Sequence, residues 1–352
     1  MQFGHENTII YEVAILAEIS TNCFTFANNL FGSTIIIQMS ATLTLAIVNF
    51  NQGHLFEDCL RSITEQNLNG LDLVVIDDCS SDQSVELIES LLKTYNVTAN
   101  FIRNKVNKGI CANLNLALSV AKGKYFSFIA ADDWVEKDCY VNMITALETG
   151  PDKVAVVYGD CKMVNEDKQL LYSSYMKYFR YDLTAPPQGN IFKDLLKGNF
   201  IPAHITMSKT EILKKLGGFD QNLKVEDYDM WLRVSRNYYF LFADSANGYY
   251  RILQNSLIRR LGARKFEDSI DMYLKHTDAD AEALAIIKKQ VQKCCEFLFY
   301  TDSEKFDNYY RTTKDYGLNK KLRILKMLES IGVKGSDFKR WSNKLRRRAQ
   351  TG

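Results

Sequence analysis

The chain has 352 residues, of which 46% are hydrophobic and 24% are charged, so we expect a globular core in one large or two modest domains. The formal net charge of +2 is unevenly distributed. The segment from Lys320 to the end has eleven Lys/Arg and two Asp/Glu, a net charge of +9, whereas the rest of the chain has 33 basic and 40 acidic residues, a net charge of −7. This mildly acidic body gives no reason to expect a nucleic-acid partner. The eight cysteines show no spacing typical of a metal site.

The first 38 residues differ in pattern from those that follow. They begin without the basic region of a signal peptide, and the uncharged stretch 19–38 contains Asn and Gln residues that make it a poor membrane span. We expect residues 1–38 to be an N-terminal extension, either disordered or absent from a native chain that starts at Met39. The structured parts are then expected at 39–256 and 257–352.

From residue 42 to residue 131 the sequence alternates between predicted strands and predicted helices. Apolar runs of strand length are separated by stretches with helical spacing; the runs lie at 43–50, 71–76, 99–103 and 125–131. Four strands separated by helices over about 90 residues indicate parallel βαβ units in one sheet. The predicted fold class is therefore α/β, with a Rossmann-like, mostly parallel central sheet flanked by helices.

Acidic residues follow two of these strands. Asp77 and Asp78 end the second strand, and Asp132 and Asp133 end the fourth, directly before Trp134. Because the carboxyl ends of parallel strands meet at one edge of a sheet, where open α/β folds bind ligands, these carboxylates are predicted to share a site. Such carboxylates can hold a hard divalent cation together with substrate phosphates. The alternative is a polar loop that merely closes each strand.

The segment up to residue 256 mixes helices and strands. A helix is predicted after Trp134, up to about Leu147, and further strands are predicted at 154–160, 201–208, 238–242 and 248–252. The second of these strands contains His204. Glu226–Arg233 has helical spacing, with Asp227 in the first turn on the inward face.

From residue 257 onward the patterns are helical and carry no motif. The end of the chain is basic, with Trp341 and Leu345 four residues apart, and is predicted to be either a helix on an anionic membrane surface or a solvated basic terminus. No stretch is apolar enough to predict a transmembrane helix. We expect a cytoplasmic protein, with peripheral contact at the inner face of the membrane as one option for the basic C-terminus.

The order of these segments resembles glycosyltransferase family 2 from about Thr42 to Arg251. Each motif is weak alone, but the whole set occurs in order and at plausible spacing. The resemblance implies the GT-A fold for this part of the chain, followed by the helical C-terminal region. The matching segments are Ile47–Asn51, Asp77–Asp82, Asn107–Gly109, Leu114–Asn115, Gly123–Tyr125, Ala130–Asp132, Gly217–Asp220 and Glu226–Arg233.

The resemblance also implies roles for individual residues. Asp77 and Asp78 would lie at the base and ribose of a nucleotide, and the residues expected beside them are Asn49, Phe50 and Gly109. Asp132, at the last acidic position of an Asp-x-Asp motif, would contact the nucleotide and bind the metal ion, Mn²⁺ or Mg²⁺, which stabilises a charged leaving group.

Asp227, with Glu226 beside it, would be the general base that takes a proton from an acceptor hydroxyl. One base opposite one leaving group implies inversion at the sugar carbon. The residues assigned to acceptor binding or to support of the metal ligand are Asp133, Trp134 and His204.

Two positions depart from the family pattern. Ala130 stands where the first Asp of Asp-x-Asp is expected, and Leu253 stands where a His is often found, so metal binding would rest on Asp132 with little help. Structural roles also stay open for several candidates. Glu226 and Asp227 could serve only the helix dipole, Asp78 could only shape a turn, and His204 could be a core residue.

The predicted function is inverting transfer of a sugar from a nucleotide-diphospho-sugar, with a UDP-sugar favoured, to a hydroxyl of a glycan or lipid-linked acceptor in surface polysaccharide synthesis. The alternative is a non-catalytic nucleotide- or glycan-binding protein with a degenerate metal site. A nucleotidyltransferase would need a basic phosphate loop after the first strand, but Asn49–Gly53 contains no basic residue.

Overall fold

The computed structural model describes residues 42–179, 184–224, 226–254, 260–314, 316–317 and 319–341, and two short strands, β1 (Phe24–Phe26) and β2 (Ile35–Ile37). The contacts divide the chain into two compact units, Met1–Ser40 and Ala41–Gly352. In the first unit β1 and β2 pair antiparallel. Apart from these strands, the predicted extension over residues 1–38 and the predicted start at Met39 lie outside the described residues.

The second unit is built on a sheet in which nine strands can be assigned among the described residues. The strands are β3 (Leu43–Asn49), β4 (Leu71–Asp77), β5 (Asn100–Arg103), β6 (Tyr125–Ala130), β7 (Trp134–Val135), β8 (Val154–Val164), β9 (Leu170–Tyr172), β10 (Thr206–Lys209) and β11 (Tyr239–Arg251). Their order is β5-β4-β3-β6-β10-β8-β11-β7, and β9 pairs with β8. Strands β5, β4, β3 and β6 are parallel, as predicted. The other half is mixed, because β10 runs antiparallel to both of its neighbours.

Helices follow or cover the strands. They are α1 (Phe56–Thr64), α2 (Ser84–Thr94), α3 (Ile110–Val120), α4 (Cys139–Thr149), α5 (Tyr175–Tyr178), α6 (Phe192–Lys197), α7 (Thr210–Lys215), α8 (Glu226–Ser235), α9 (Arg264–Leu274), α10 (Ala281–Tyr300), α11 (Phe306–Lys314) and α12 (Lys320–Ser330). The predicted α/β class and the helical C-terminal region are confirmed. No described helix is both long enough and apolar enough to cross a lipid bilayer.

The central strand β3 shows why these apolar runs become buried strands. All seven of its residues are buried, because helices cover both faces of the sheet. Leu45 and Ile47 point into the core layer that contains α1 and α4. Ala46 and Val48 point into the opposite layer, with α3 and α8. Burying one Leu or Ile side chain contributes about 1.5–3 kcal/mol, so this strand anchors the loops that follow it.

The C-terminal helices share the second of these core layers. Ile270 and Met272 of α9 and Ile287 of α10 lie in one continuous hydrophobic cluster with Leu195 of α6 and Met230 of α8. The C-terminal region therefore packs directly against the helix that begins with Glu226. The basic tail beyond Trp341 lies outside the described residues, as does the predicted pairing of Trp341 with Leu345.

Four elements predicted after residue 131, three strands and one helix, were wrong in extent. The strand predicted at 201–208 is observed only as β10, and His204 lies in the turn before it, where the N–H of Ile205 bonds to the carbonyl of Pro202. The strands predicted at 238–242 and 248–252 form one strand, β11, with a shift in register between Phe242 and Asn247. The helix predicted after Trp134 begins only at Cys139. Trp134 and Val135 pair with β11 instead, which is a long-range contact that local periodicity does not encode.

Candidate active site

The predicted acidic residues lie at one edge of the parallel half of the sheet. Asn49, the last residue of β3, is paired in register with Asp77, the last residue of β4. On the other side of β3, Val48 is paired with Ala130, so Asp132 follows at the same edge. The carboxyl ends of three adjacent strands thus bring their polar side chains together, as the sequence predicted.

Asp77 is buried and holds the loop that follows its own strand. Its carboxylate accepts hydrogen bonds from Nδ2 of Asn49 (2.8 Å), the backbone N–H of Ser80 (2.9 Å) and the Ser80 hydroxyl (2.6 Å). Oδ1 of Asn49 is buried and accepts no hydrogen bond from the described residues. A buried acceptor without a partner is costly, and it suits an N–H donor of a ligand. Phe50, half-buried, follows directly.

Asp78 holds the turn that precedes α3. Its oxygens accept from Nδ2 of Asn104 (2.9 Å), from the backbone N–H of Lys108 (2.8 Å) and from the backbone N–H of Gly109 (2.9 Å). Gly109 has φ of 81°, a conformation that favours glycine. Burial alone would raise the pKa of Asp78, but the hydrogen bonds from Lys108, Asn113, Asn104 and Gly109 lower it below its usual value. Asp78 therefore shapes the loop beside the site.

Asp132 and Asp133 have different surroundings although they are adjacent. Oδ2 of Asp132 accepts from Nε2 of Gln52 at 3.0 Å, and burial raises the pKa of this carboxyl. Asp133 is buried, and its Oδ1 accepts from the backbone N–H of Arg251 at 2.8 Å. Burial first, and then the charge of Asp132, raise the pKa of Asp133 well above its usual value. Asp133 thus ties its loop to β11 from beneath.

His204 and Trp134 pack around these two carboxylates. Nδ1 of His204 lies 3.6 Å from Oδ2 of Asp133, which is longer than a hydrogen bond. Burial lowers the pKa of His204 to about 3, so the ring is neutral. The ring of Trp134 stacks on Tyr249, with centroids 4.8 Å apart, and the guanidinium carbon of Arg251 lies 4.9 Å from the Trp134 centroid. In these contacts both residues support the acidic loop.

Arg251 is a site residue that the sequence did not reveal. Its side chain is 2% exposed and pairs with Oδ2 of Asp58 at 2.8 Å, while its Nε donates to the carbonyl of Asp132 at 3.0 Å. A buried charge persists when it is paired and hydrogen-bonded. Arg251 and Asp58 are 193 positions apart, and no local signal connects them. Gln52 could have been suspected, because it lies in the turn after β3.

Glu226 and Asp227 begin α8. Oδ2 of Asp227 accepts from Nδ2 of Asn199 at 3.0 Å, and its Oδ1 accepts from the N–H of Tyr228 at 2.7 Å. Burial raises the pKa of Asp227. Burial, followed by repulsion from Asp227, raises the pKa of Glu226 to about 8. A carboxylate whose pKa lies near the working pH can accept a proton efficiently.

Tyr250 is a residue on which charges from both acidic groups act. Burial raises the pKa of its phenol, and the charges of Asp133, Asp132, Cys161 and Asp227 raise it further. The ring of Tyr175, whose pKa is raised by burial and by Asp227, packs edge-on against Tyr250 with centroids 6.0 Å apart. These two tyrosines therefore respond to the charge at the start of α8, and Tyr250 also responds to the charge at the acidic edge of the sheet.

The donor set around Asp132 limits what kind of metal site is possible. Within the described residues no group of three or more His, Cys, Asp or Glu side chains is arranged to hold a metal ion. Ala130 offers no ligand atom, and Oδ1 of Asp133 already accepts a hydrogen bond from the backbone N–H of Arg251. Asp132 alone fits a hard cation that takes most of its ligands from phosphate oxygens and water.

A mixed sheet flanked by helices and followed by a helical C-terminal region is similar to the fold of GT-A glycosyltransferases. The sequence model described as Glycosyl transferase family 2 matches residues 44–217, just under half of the chain. This part of the chain is therefore a glycosyltransferase family 2 segment.

Two relatives, one of them named as a synthase, illustrate the extent of the sequence similarity. An uncharacterized glycosyltransferase of Haemophilus influenzae is 26% identical over 198 residues, which cover 54% of this chain and 61% of that protein. A hyaluronan synthase of Pasteurella multocida is 28% identical over 229 residues, which cover 63% of this chain and 22% of the synthase. The chain thus spans less than two thirds of either relative.

Solved structures with a similar fold include two complexes with nucleotide-sugars. S. aureus TarS in complex with UDP-GlcNAc superposes with a TM-score of 0.59 at 17% identity, over 81% of this chain and 83% of that one. The mannosyltransferase PcManGT from Pyrobaculum calidifontis, in complex with GDP-Man and Mn²⁺, gives a TM-score of 0.53 at 14% identity, over 86% and 88%. At these identities the likeness confirms the predicted fold.

Proposed function

We propose that this protein transfers a sugar from a nucleotide-diphospho-sugar to a hydroxyl group of a glycan or lipid-linked acceptor, with inversion at the sugar carbon. The observation that carries the proposal is the shared edge of the sheet at which Asn49, Asp77 and Asp132 follow three adjacent strands. Asp132 is the candidate ligand for the donor's phosphate end, and the charges of Asp132 and of the candidate base Asp227 both act on the hydroxyl of Tyr250.

The donor side is supported by the loops after β3 and β4. The unpartnered Oδ1 of Asn49 is a buried acceptor at the edge of the sheet, which suits an imide or amide N–H of a nucleobase. Asp77 and Asp78 fix the two loops around it. We favour a UDP-sugar, in line with the bound UDP-GlcNAc of TarS. PcManGT, which binds GDP-Man, makes GDP the main competitor.

The proposed reaction is a single displacement. The acceptor oxygen bonds to the anomeric carbon while the bond from that carbon to the β-phosphate oxygen breaks, and the electron pair leaves with the nucleoside diphosphate. The acceptor's proton passes to Asp227, which Asn199 and the N–H of Tyr228 hold in place. Glu226 stays beside it as a second proton-binding group. One base on the acceptor side predicts an inverted product.

We assign Asp132 as the protein ligand for a divalent cation, Mn²⁺ or Mg²⁺, bound together with the donor. Such an ion would neutralise charge that develops on the diphosphate. Asp132 is held by Gln52, and Asp133, His204 and Trp134 support the loop rather than supply ligands. Because a single carboxylate binds a cation weakly, we expect metal and nucleotide to bind cooperatively.

For the whole protein we propose a role in surface polysaccharide synthesis, with the basic C-terminal segment from Lys320 at the inner membrane face.

The proposal is tested first by calorimetric titration with UDP, GDP, dTDP and CMP, with and without Mn²⁺, on the wild type and on Asp132→Ala. We expect tight binding of UDP only with Mn²⁺, and loss of that metal dependence in the variant. Release of free nucleotide from a panel of sugar donors then identifies the donor. Binding that is the same with and without Mn²⁺ would contradict the metal assignment.

A non-catalytic nucleotide- or glycan-binding protein is the second candidate, and Ala130 is the observation that favours it. The pair Glu226 and Asp227, with a raised pKa at Glu226, favours the enzyme, because a binding protein gains nothing from two half-buried carboxylates that repel each other. Nucleotide binding without any release of nucleotide from donors, in the presence of acceptor, would move the assignment to this candidate.

A further inference from the structure

The segment that enters α8 is held from outside the sheet by α9 of the C-terminal region. Oδ2 of Asp268 accepts from the backbone N–H of Lys224 at 2.7 Å. Oδ1 of the same carboxylate lies 2.6 Å from Nε of Arg264, and Arg264 also donates to the carbonyl of Asn222 at 2.8 Å. The side chain of Asp268 is fully buried. Its hydrogen bond falls two residues before Glu226.

A second contact falls two residues after Asp227. Nζ of Lys275, at the end of α9, lies 2.7 Å from Oδ1 of Asp229 and 2.5 Å from Oδ2 of Asp220. The Asp229 side chain is fully buried and also binds Nε of Arg233 at 2.8 Å. Lys275 thus joins the two ends of the segment 220–229 to the C-terminal region.

A third contact lies between these two. The hydroxyl of Tyr228, the residue after Asp227, lies 2.9 Å from the hydroxyl of Tyr273 in α9. The three contacts together surround Glu226 and Asp227 along the chain. They come from α9 and the residue that follows it, and Ile270 and Met272 of α9 are packed in the same core as α8.

The fully buried carboxylates of Asp268 and Asp229 would be unfavourable if they only filled space. Replacing a buried ion pair with apolar residues of similar size is often neutral or stabilising. A buried ion pair has one favoured geometry, so it specifies the position of the chain that it holds. A displacement of about 1 Å at reacting groups can cost about 100-fold in rate, which gives a reason to fix the start of α8.

We propose that Asp268 and Lys275 are positioning residues for the carboxylates of Glu226 and Asp227, so that the C-terminal helices are part of the catalytic apparatus. This inference rests on the proposed function, because it assumes that these two carboxylates act on the acceptor. It extends that function to a region in which the sequence shows no motif.

The test compares Asp268→Asn and Lys275→Met in the full chain with the matched control Asp278→Asn. Asp278 also links the segment after α9 to the segment after α8, through Arg236 at 2.9 Å, but its side chain is 73% exposed and lies away from Glu226. We expect a loss of at least tenfold in kcat for the two buried variants, with the nucleotide Kd within twofold of wild type. We expect the control to keep the wild-type kcat.

Two further readouts separate positioning from general destabilisation. Amide hydrogen exchange in peptides spanning 220–229 should be faster in Asp268→Asn and Lys275→Met, with the exchange of β3 and β4 unchanged. Lys275→Arg, which keeps the charge, should recover most of the lost kcat and shift the exchange back. Asp268→Ala, if it folds, should exceed Asp268→Asn in both effects.

Wild-type kcat in Asp268→Asn and Lys275→Met would overturn the inference, whatever the exchange data show. So would a loss of nucleotide affinity as large as the loss of kcat, because that pattern indicates general disruption. Failure of the proposed function itself is recognised separately, by full transfer activity in Asp227→Asn.

Discussion

Two groups of carboxylates at the same edge of the sheet differ in how many hydrogen bonds they accept. Asp78, after β4, accepts from the side chain of Asn104 and from the N–H groups of Lys108 and Gly109. Asp132, after β6, accepts one side-chain hydrogen bond, from Gln52. Burial opposes the charge of both, but only the donors around Asp78 outweigh it, so the pKa of Asp78 is lowered and that of Asp132 is raised.

This difference separates residues that build the site from residues that are available for chemistry. A carboxylate whose oxygens are satisfied by the protein stabilises a loop and has little left to offer a ligand. A buried carboxylate with few donors costs stability, and a cation, a proton or an acceptor hydroxyl can relieve that cost. By this criterion we propose Asp132, Glu226 and Asp227 as the reactive group, and Asp77 and Asp78 as its frame.

The largest effect is expected at Asp227. Asp227→Asn should lower the rate of sugar transfer by about 10²–10⁴-fold, the usual range for removal of a general base. The nucleotide Kd should stay within twofold, because the donor contacts lie at β3 and β4. The matched control is Asp244→Asn, an exposed carboxylate of β11. Transfer at the wild-type rate in Asp227→Asn would remove Asp227 from the reactive group.

The next effect is on folding and concerns Asp78. Asp78→Ala should lower the free energy of unfolding by about 2–4 kcal/mol, because it leaves one buried donor, Asn104, and two partly buried backbone donors, Lys108 and Gly109, without their acceptor. Urea denaturation monitored by far-UV circular dichroism measures this. Asp82→Ala, which removes a single partly buried hydrogen bond from the N–H of Ser84, is the control and should cost about 1 kcal/mol or less. An equal loss of unfolding free energy in both variants would contradict the proposed role of Asp78 in holding the loop.

A smaller effect is expected from the titration of Glu226. Its pKa rises from an ordinary value of 4.5 to about 8 in the folded protein, so the native state binds this proton more tightly than the unfolded state does. The contribution of Glu226 to stability therefore falls as the pH rises from 4.5 to about 8. Glu226→Gln should remove this fall and raise the melting temperature at pH 8.5, by about 2–4 °C, relative to its effect at pH 5. An equal effect at both pH values would show that Glu226 titrates normally.

The smallest effect on stability is expected at Asp132. Its raised pKa means that the ionised form opposes folding, so Asp132→Asn should leave the melting temperature at pH 7 unchanged or slightly higher. The same variant should lose the dependence of nucleotide binding on Mn²⁺. A fall in melting temperature comparable to that of Asp78→Ala would place Asp132 in the frame instead.

Much of the parallel half of the molecule could be predicted from local pattern. Continuous apolar runs such as Leu43–Asn49 are typical of strands covered on both faces, and the helical spacing between them requires parallel crossovers. These two facts place Asp77 and Asp132 at one edge without any tertiary information. The second half was harder, because β7, β10 and the long β11 are defined by pairing with distant strands.

The segments Leu114–Asn115 and Gly217–Asp220 also contact each other in a way that local pattern does not predict. Asn115 and Gly218 are 103 positions apart, yet the amide of Asn115 bonds to both the N–H and the carbonyl of Phe219, each at 2.7 Å. Gly218 has φ of +74°, and a Cβ there would lie 2.3 Å from Oδ1 of Asn115. The sequence presents these motifs as separate, but they form one structural unit that leads toward α8.

The sequence by itself determined the α/β class, the family and the residue types at the site, because strand burial and the order of motifs along the chain are local properties. Only the tertiary structure showed which carboxylates accept several hydrogen bonds. It also showed that Arg251 pairs with Asp58 and binds the carbonyl of Asp132, and that α9 contacts the start of α8. Those features depend on donors and charges brought together from distant parts of the chain, and the balance between burial and hydrogen bonding that sets each pKa exists only once they have met.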